Sequence, residues 1–122
     1  MSTPVGPYSP IVRAGPWLIC SGQLGLAPGA DGTPALVDGG PGPELAQGVA
    51  NAAGLLAGEG ASLTDVVKTT VFATDPADFP VVNEAYVAAF AGHRPARSMV
   101  AVTALPMGAA VEIEVWAFVG PS

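Results

Sequence analysis

The stretch AVEIEVWAFV, residues 110–119, decides the fold, because its side chains alternate between two kinds of surface. Successive residues of a β-strand point to opposite faces, so Val111 and Ile113 begin an apolar series on one face. That series predicts a strand with one side in a protein core. The other face carries Glu112 and Glu114, followed by two aromatic residues. The sheet that contains this strand therefore has one ordinary core face and one mixed face.

The segment before this strand carries an arginine at the edge of a second apolar strand. RSMVAV, at 97–102, and the turn LPMG, at 105–108, predict a hairpin with the strand 110–119. In that hairpin Arg97 would lie near the two carboxylates, and a guanidinium suits a carboxylate held by two hydrogen bonds. One interpretation is a structural salt bridge. The other is that Arg97 binds an anionic ligand while a glutamate transfers protons or orients water.

The rest of the chain alternates between strand and helix patterns. Period-two and β-branched runs predict strands, apolar stripes at helical spacing predict helices, and clustered Gly and Pro predict a loop. In order, the chain predicts two strands over 11–24, a surface loop over 27–43, a helix over 44–60, a strand over 65–74 and a helix over 78–92. Asp78 is the candidate N-cap of the second helix.

This order, β-β-α-β-α-β-β, predicts a two-layer α/β sandwich in which two helices cover one face of five or six strands. The 122 residues suit one domain, residues 1–122. The opposite face of the sheet would have no helix over it. Only 11% of the residues are charged, so burying that face against another subunit would explain why the surface needs so few charges.

Composition excludes several classes of protein. The formal net charge is −6 with four Lys and Arg residues, which argues against nucleic acid as the main partner because phosphate binding needs a basic face. The one cysteine, Cys20, cannot form an intrachain disulfide, which fits a cytoplasmic protein. The N-terminus does not read as a signal peptide, and no apolar run reaches the ~18 residues of a membrane span.

Other residues that could carry chemistry have plainer interpretations. His93 lies at a helix-to-loop junction, where capping or compensation of the helix dipole is favoured over catalysis. Cys20 is interpreted as a buried small apolar residue without a neighbouring base. Tyr8, in GPYSP, is either a surface turn residue or the aromatic wall of a pocket. No Cys/His cluster has zinc spacing, and SGQLG, at 21–25, is not a dinucleotide or P-loop fingerprint.

Six ordered blocks together resemble the reactive intermediate deaminase family, also called the RidA/YjgF family. They are GPYSP (6–10), SGQLGL (21–26), GASLTDVVKTTVFATD (60–75), FPVVNEAYVAAF (79–90), RPARSMVAV (94–102) and LPMGAAVEIEVWAFV (105–119). The resemblance implies a chorismate-mutase-like fold with a mixed sheet and a homotrimer with three clefts between subunits. It also implies hydrolytic deamination of enamines and imines, such as 2-aminoacrylate and 2-iminopropionate, to 2-keto acids and ammonia. No cofactor, metal, nucleic-acid partner or membrane partner is expected.

The resemblance also implies roles for individual residues. Arg97 matches the arginine that holds the substrate carboxylate, and Glu112 matches the glutamate that orients water or assists proton transfer. The residues matching the lining of the cleft are Tyr8, Ser21, Gly22 and Asn83. Met99 stands where the family usually has a smaller residue, and on the face of Arg97 it would narrow or reshape the cleft.

Two other functions remain open. One is a trimer that binds small carboxylates or keto acids without turnover, which Arg97 would serve equally well. Glu112 favours the enzyme, because an anion-binding site gains nothing from a carboxylate beside its arginine. The other is a ribonuclease or translation inhibitor, which a net charge of −6 and one histidine argue against.

Overall fold

A computed structural model describes residues 6–120 of the chain. The first five residues, which belong to the segment that does not read as a signal peptide, and the last two lie outside the described residues. The elements are β1 Ile11–Ala14, β2 Trp17–Leu24, β3 Leu26–Pro28, β4 Pro34–Leu36, α1 Pro41–Ala57, β5 Val66–Ala73, α2 Phe79–Ala89, β6 Ala96–Ala101 and β7 Val111–Phe118. Every strand and helix that the sequence predicts is therefore present.

Five strands form one mixed sheet in the order β1-β2-β7-β5-β6. Only β5 and β6 run parallel, and the other neighbours are antiparallel. Helix α2 connects the parallel pair, as a parallel connection requires. Both helices pack on one face of the sheet, so the predicted two-layer sandwich is confirmed.

The predicted hairpin between β6 and β7 is wrong. Strand β5 lies between them, and β6 pairs in parallel with β5, where Thr69 is opposite Arg97. The LPMG segment forms a short 3-10 turn with positive φ at Met107 and Gly108, and it leads the chain past β5 instead of back along β6. A turn sequence reverses the chain but does not determine which strand becomes the neighbour. Here β5 pairs with both β6 and β7.

The predicted loop over 27–43 is more ordered than its composition indicates. Strands β3 and β4 form a separate two-stranded sheet, and α1 begins at Pro41, three residues before the predicted start. The prolines at 28 and 34 lie opposite each other at the ends of these strands, next to the connecting turn, where a missing N–H costs little. The Asn51 side chain of α1 donates hydrogen bonds to the carbonyls of Leu24 and Leu26, at 3.1 and 2.9 Å, and so fixes the hairpin against the helix.

The core lies between the helices and the face of the sheet that they cover. It contains Leu18, Leu45, Val49, Leu56, Val71, Val82, Ile113 and Val115. Within residues 6–120 no helix covers the other face, which we call the open face. Its residues include Trp17, Ile19, Lys68, Thr70, Phe72, Glu112, Glu114, Trp116 and Phe118. Trp17 packs edge-on against Trp116 and Phe118, so the open face carries an aromatic cluster.

Neither helix of residues 6–120 has the length and hydrophobicity that crossing a membrane would require.

Candidate active site

Arg97 lies in a cleft on the helix side of the edge strand β6. Its partner across the parallel ladder is Thr69, whose side chain is fully buried under α2. The Cζ atom of Arg97 lies 4.8 Å from the centroid of the Tyr86 ring, within the range of a cation–π contact. We call this space of about 440 Å³ the arginine cleft; it is lined by Asn83, Tyr86, Val87, Gly92, His93, Arg94, Pro95 and Arg97.

The salt bridge considered for Arg97 does not form. Among residues 6–120 the one ion pair joins Arg13 to Glu59, at 3.6 Å on the surface. Arg97 and Glu112 do not share a face of the sheet, because Arg97 is aligned with the inward Thr69 whereas Glu112 is aligned with Phe72 on the open face. The guanidinium is therefore an exposed cation that an aromatic ring, and no carboxylate of the described chain, holds in place.

Glu112 lies in a second cleft, at the end of the open face where β2 bends toward β3. Gly22 makes this position possible, since a Cβ there would overlap Oε2 of Glu112. We call this space of about 500 Å³ the glutamate cleft; it is lined by Tyr8, Pro10, Gly22, Gln23, Leu24, Leu26, Ala27, Pro28, Gly32, Pro34, Asn51, Pro106 and Glu112. Its walls are mostly apolar, and Glu112 is the one carboxylate that the described residues place in it.

The surroundings of Glu112 make it harder to ionise. Partial burial, and then the like charge of Glu114 on the same face, raise the pKa of Glu112 above its ordinary value of 4.5. A carboxyl group in this environment exchanges protons closer to neutral pH than a surface glutamate does. The glutamate cleft thus has the chemistry of a general acid/base.

Ser21 positions one wall of the glutamate cleft without lining either cleft. Its hydroxyl donates a hydrogen bond to the carbonyl of Ser9, at 2.7 Å, and its N–H donates to the carbonyl of Pro10, at 2.9 Å. These two bonds hold the segment that carries Tyr8 against β2. Tyr8 is half exposed at the mouth of the cleft and lines it, and this exposure fits a surface turn residue as well as a pocket wall.

Met99 lines neither cleft. It stands opposite Val71 and packs against the core under α2, so its side chain fills space behind the Arg97 strand. The structure does place it on the face of Arg97, as the alternation predicts. Its larger volume therefore acts on the packing of β6 and not directly on the described cleft walls.

His93 and Cys20 take structural positions. Nε2 of His93 donates to the carbonyl of Val66, at 2.7 Å, so the ring ties the end of α2 to β5 instead of capping the helix carbonyls. Burial raises the pKa of the Cys20 thiol to about 11, so Cys20 is not a nucleophile near neutral pH. Within residues 6–120 no three His, Cys, Asp or Glu side chains are grouped closely enough to hold a metal ion.

Five of the seven predicted site residues fall into two sets. Asn83 and Arg97 belong to the arginine cleft, and Tyr8, Gly22 and Glu112 belong to the glutamate cleft. The sequence interpretation did not name Tyr86 as a site residue. Its spacing of three from Asn83 puts both on one helix face, which is the signal that could have included it.

Known proteins match this chain over nearly its whole length. The family model described as Endoribonuclease L-PSP matches residues 1–119. The 2-iminobutanoate/2-iminopropanoate deaminase of Mus musculus is 43% identical over 96% of this chain and 84% of its own length. A crystal structure of RidA from an Antarctic Psychrobacter bacterium superimposes with a TM-score of 0.86 at 40% identity, covering 95% of this chain and 91% of that chain.

The chain belongs to the RidA/YjgF family. A further structure of the same fold, Escherichia coli TdcF, was solved with bound serine, and it matches with a TM-score of 0.81 at 34% identity over 94% of this chain and 90% of that chain. Family membership therefore accounts for the mixed sheet, the two helices on one face and the ordered sequence blocks.

Proposed function

We propose that two copies of this chain together form each active site of a 2-imino acid deaminase. One copy supplies the arginine cleft, and its neighbour supplies the glutamate cleft. The observation that carries this proposal is the separation of Arg97 from Glu112 on opposite faces of one sheet, which leaves a single described chain with half a site on each side. The deaminase names of relatives about 41–43% identical support the reaction.

The reaction requires one group that binds the substrate carboxylate and another that transfers protons. Arg97 binds the substrate carboxylate through its planar fork of N–H donors, which fixes the neighbouring C=N carbon. Water adds its oxygen to that carbon while its proton leaves, and the imine nitrogen takes up a proton. The amino nitrogen of the resulting carbinolamine then takes up a proton, the C–N bond breaks to release ammonia, and the hydroxyl proton leaves, which gives the 2-keto acid.

Glu112 is the proton carrier in this proposal. Water addition needs a base and the departure of ammonia needs an acid, and one carboxyl with a raised pKa can serve both steps in turn. The apolar walls of the glutamate cleft, including Leu24 and Leu26, limit water around it. The enamine 2-aminoacrylate enters the same route after it tautomerises to the imine.

The open face supports an assembly that brings the two clefts together. Trp116 is 40% exposed there, and the aromatic cluster around it is of the kind that subunit interfaces cover. We propose a homotrimer, in which three copies cover one another's open faces and form three identical sites. A closed ring uses each copy's two clefts once.

A carboxylate-binding protein without turnover is the second candidate. The bound serine of Escherichia coli TdcF favours it, because serine is a small amino acid whose carboxylate an arginine can hold. Arg97 would serve such a protein without any help from Glu112. Measured turnover separates the two candidates.

The ribonuclease function in the description of the family model has less support from this chain. The arginine cleft contains two cations, Arg94 and Arg97, in a protein with a net charge of −6. The ring of His93 is engaged with the carbonyl of Val66. RNA cleavage needs a grip on phosphate and an acid/base pair, and these residues offer little of either.

A coupled assay tests the reaction. An amino-acid oxidase generates the imine in place, semicarbazide traps whatever is not hydrolysed, and the wild type is compared with Arg97→Ala and Glu112→Ala. We expect the wild type to lower the trapped imine and both variants to fail. A folded wild type that leaves the trapped imine unchanged for small and bulky imines would move the assignment to the binding protein.

A mixing experiment tests the shared site. Arg97→Ala and Glu112→Ala chains are co-expressed so that both enter the same oligomers. If each site takes Arg97 and Glu112 from different copies, about a quarter of the sites regain both residues. Separately purified variants mixed without exchange are the control and stay inactive. Absence of recovery in proven hybrid oligomers would place both residues of a site in one chain.

A further inference from the structure

The ring of Tyr86 contacts Arg97, and the proposed reaction gives this contact no role. The guanidinium carbon lies 4.8 Å from the ring centroid, and the ring face is one wall of the arginine cleft. Among residues 6–120 no carboxylate is within salt-bridge distance of Arg97. An exposed arginine with such freedom would lose rotamer entropy each time it bound an anion.

Tyr86 itself is firmly held. It is 7% exposed, and its ring packs on Phe90 with centroids 4.6 Å apart. Its hydroxyl forms a hydrogen bond of 2.8 Å with Oγ1 of Thr69, which is fully buried. Thr69 is the residue opposite Arg97 in the parallel ladder, so strand pairing and side-chain contacts fix the same three residues relative to one another.

We propose that Tyr86 is a positioning residue: its ring face, held by packing on Phe90, keeps the Arg97 guanidinium ready for a substrate carboxylate. The inference rests on the proposed function, in which Arg97 binds that carboxylate. A ring face attracts a cation without consuming its in-plane N–H donors, so the fork stays free for two hydrogen bonds to the ligand. A glutamate in the same place would instead occupy the fork and repel the substrate.

The charge inventory of the cleft agrees with this role. Among residues 6–120 the titratable and charged groups that line it are Tyr86, His93, Arg94 and Arg97, so no carboxylate of this part of the chain lines it. His93 is tied to Val66, and Arg94 is exposed in the loop before β6. Tyr86 both contacts the Arg97 guanidinium and is itself fixed by the core.

Two variants separate the ring from the hydroxyl. Tyr86→Phe and Tyr86→Leu both remove the hydrogen bond to Thr69, but only Tyr86→Leu removes the aromatic face. The first measurement is the Arg97 side-chain Nε–Hε signal in the ¹⁵N spectrum of the oligomer. The chain has three arginines, at 13, 94 and 97, so Arg97→Ala assigns the signal directly. The second measurement is the Kd for 2-oxobutanoate, a keto-acid product, by calorimetry.

We expect the Arg97 signal to carry a ring-current shift that Tyr86→Phe keeps and Tyr86→Leu loses. The Kd should rise between about twofold and thirtyfold in Tyr86→Leu, the range of a cation–π contact, and stay near the wild-type value in Tyr86→Phe. A purely structural role would lower the melting temperature of both variants and the fraction of competent sites, but it would leave the Kd of the folded sites unchanged.

The inference is overturned if the Arg97 signal is the same in both variants, if their Kd values agree, or if the folded wild type does not bind 2-oxobutanoate. Imine turnover is measured separately on the same wild-type sample. If turnover is absent while the signal and the Kd behave as expected, the deaminase function fails and the positioning of Arg97 for a carboxylate stands. The measurements therefore distinguish failure of the deaminase function from failure of the inference about Tyr86.

Discussion

The arginine cleft and the glutamate cleft are built in opposite ways. The arginine cleft lies beside the edge strand β6, and its functional group is the permanent cation of Arg97, which contacts the ring face of Tyr86. The glutamate cleft is anchored on the central strand β7, and its reactive group is a carboxyl whose charge depends on pH. In the proposed function, one cleft supplies an anchor of fixed charge, and the other supplies a group that changes charge during the reaction.

The difference explains why the sheet separates them. Placed side by side in one chain, Arg97 and Glu112 would form a salt bridge that lowers the pKa of the glutamate and occupies the arginine. On opposite faces, each keeps the property that the reaction needs. In the proposed shared site, association of copies brings the two groups near one another around a substrate, whose carboxylate binds the arginine instead.

Removing the fixed charge should have the largest effect. We expect Arg97→Ala to lower kcat/KM about a thousandfold, because it removes one partner of a charge-assisted contact. The oligomer should remain intact, which gel filtration checks. Arg13→Ala is the matched control, since it removes the same charge from an exposed pair with Glu59 and should keep wild-type activity. Substantial activity in Arg97→Ala would end the assignment of the anchor.

Removing the proton carrier should have the next largest effect. Glu112→Gln keeps the shape of the side chain but cannot exchange protons, so we expect about a hundredfold loss in kcat with a smaller change in KM. The exposed Glu84→Gln, on α2, is the control for loss of one negative charge. If Glu112→Gln keeps the wild-type kcat, the glutamate cleft only shapes the site, and water alone carries the protons.

The fold was largely predictable from the sequence because it follows from local periodicity. The alternation in residues 110–119 correctly placed Glu112 and Glu114 on one face, and burial along β7 follows it. The neighbour of β6 was not predictable in this way. Strand order depends on contacts between segments far apart in the chain, and a turn sequence such as LPMG describes only four residues.

The candidate site was predictable as residues but not as an arrangement. Resemblance to the family named Arg97 and Glu112, yet it cannot say that they lie on opposite faces of this sheet. The hairpin β3–β4, which walls the glutamate cleft, was missed because three-residue strands with proline at their ends carry too little pattern. Tyr86 was missed because a buried aromatic on a helix stripe is usually only core.

The β3–β4 hairpin, which forms a wall of the glutamate cleft, allows a test with a smaller expected effect. Asn51→Ala removes two hydrogen bonds to the carbonyls of Leu24 and Leu26, so we expect the free energy of unfolding to fall by about 1–3 kcal/mol. Gln47→Ala removes only the donor to Asn51 and should cost less. Urea denaturation measures both. Equal losses would show that the hairpin does not depend on Asn51, and the glutamate cleft would then need another brace.

The finest test concerns the charge state of Glu112. Because its folded pKa is raised above 4.5, the folded protein binds this proton more tightly than the unfolded chain does. Ionised Glu112 therefore lowers the free energy of unfolding, and the loss develops as pH rises from about 4.5 through the folded pKa. Glu112→Gln should consequently raise the melting temperature at pH 7 relative to the wild type, and this gain should shrink at pH 4.

The raised pKa of Glu112 also predicts how the dependence of kcat on pH should change in a variant. If ionised Glu112 is the base, kcat falls as pH drops through its raised pKa. Glu114→Gln removes the neighbouring like charge, so the acidic limb should move to lower pH, while burial, the larger cause, keeps part of the shift. Glu84→Gln should leave the limb in place. If the fall in kcat at low pH stays at the same pH in Glu114→Gln, another group controls it. If the residual activity of Glu112→Gln still shows this fall, the controlling group lies outside the glutamate cleft.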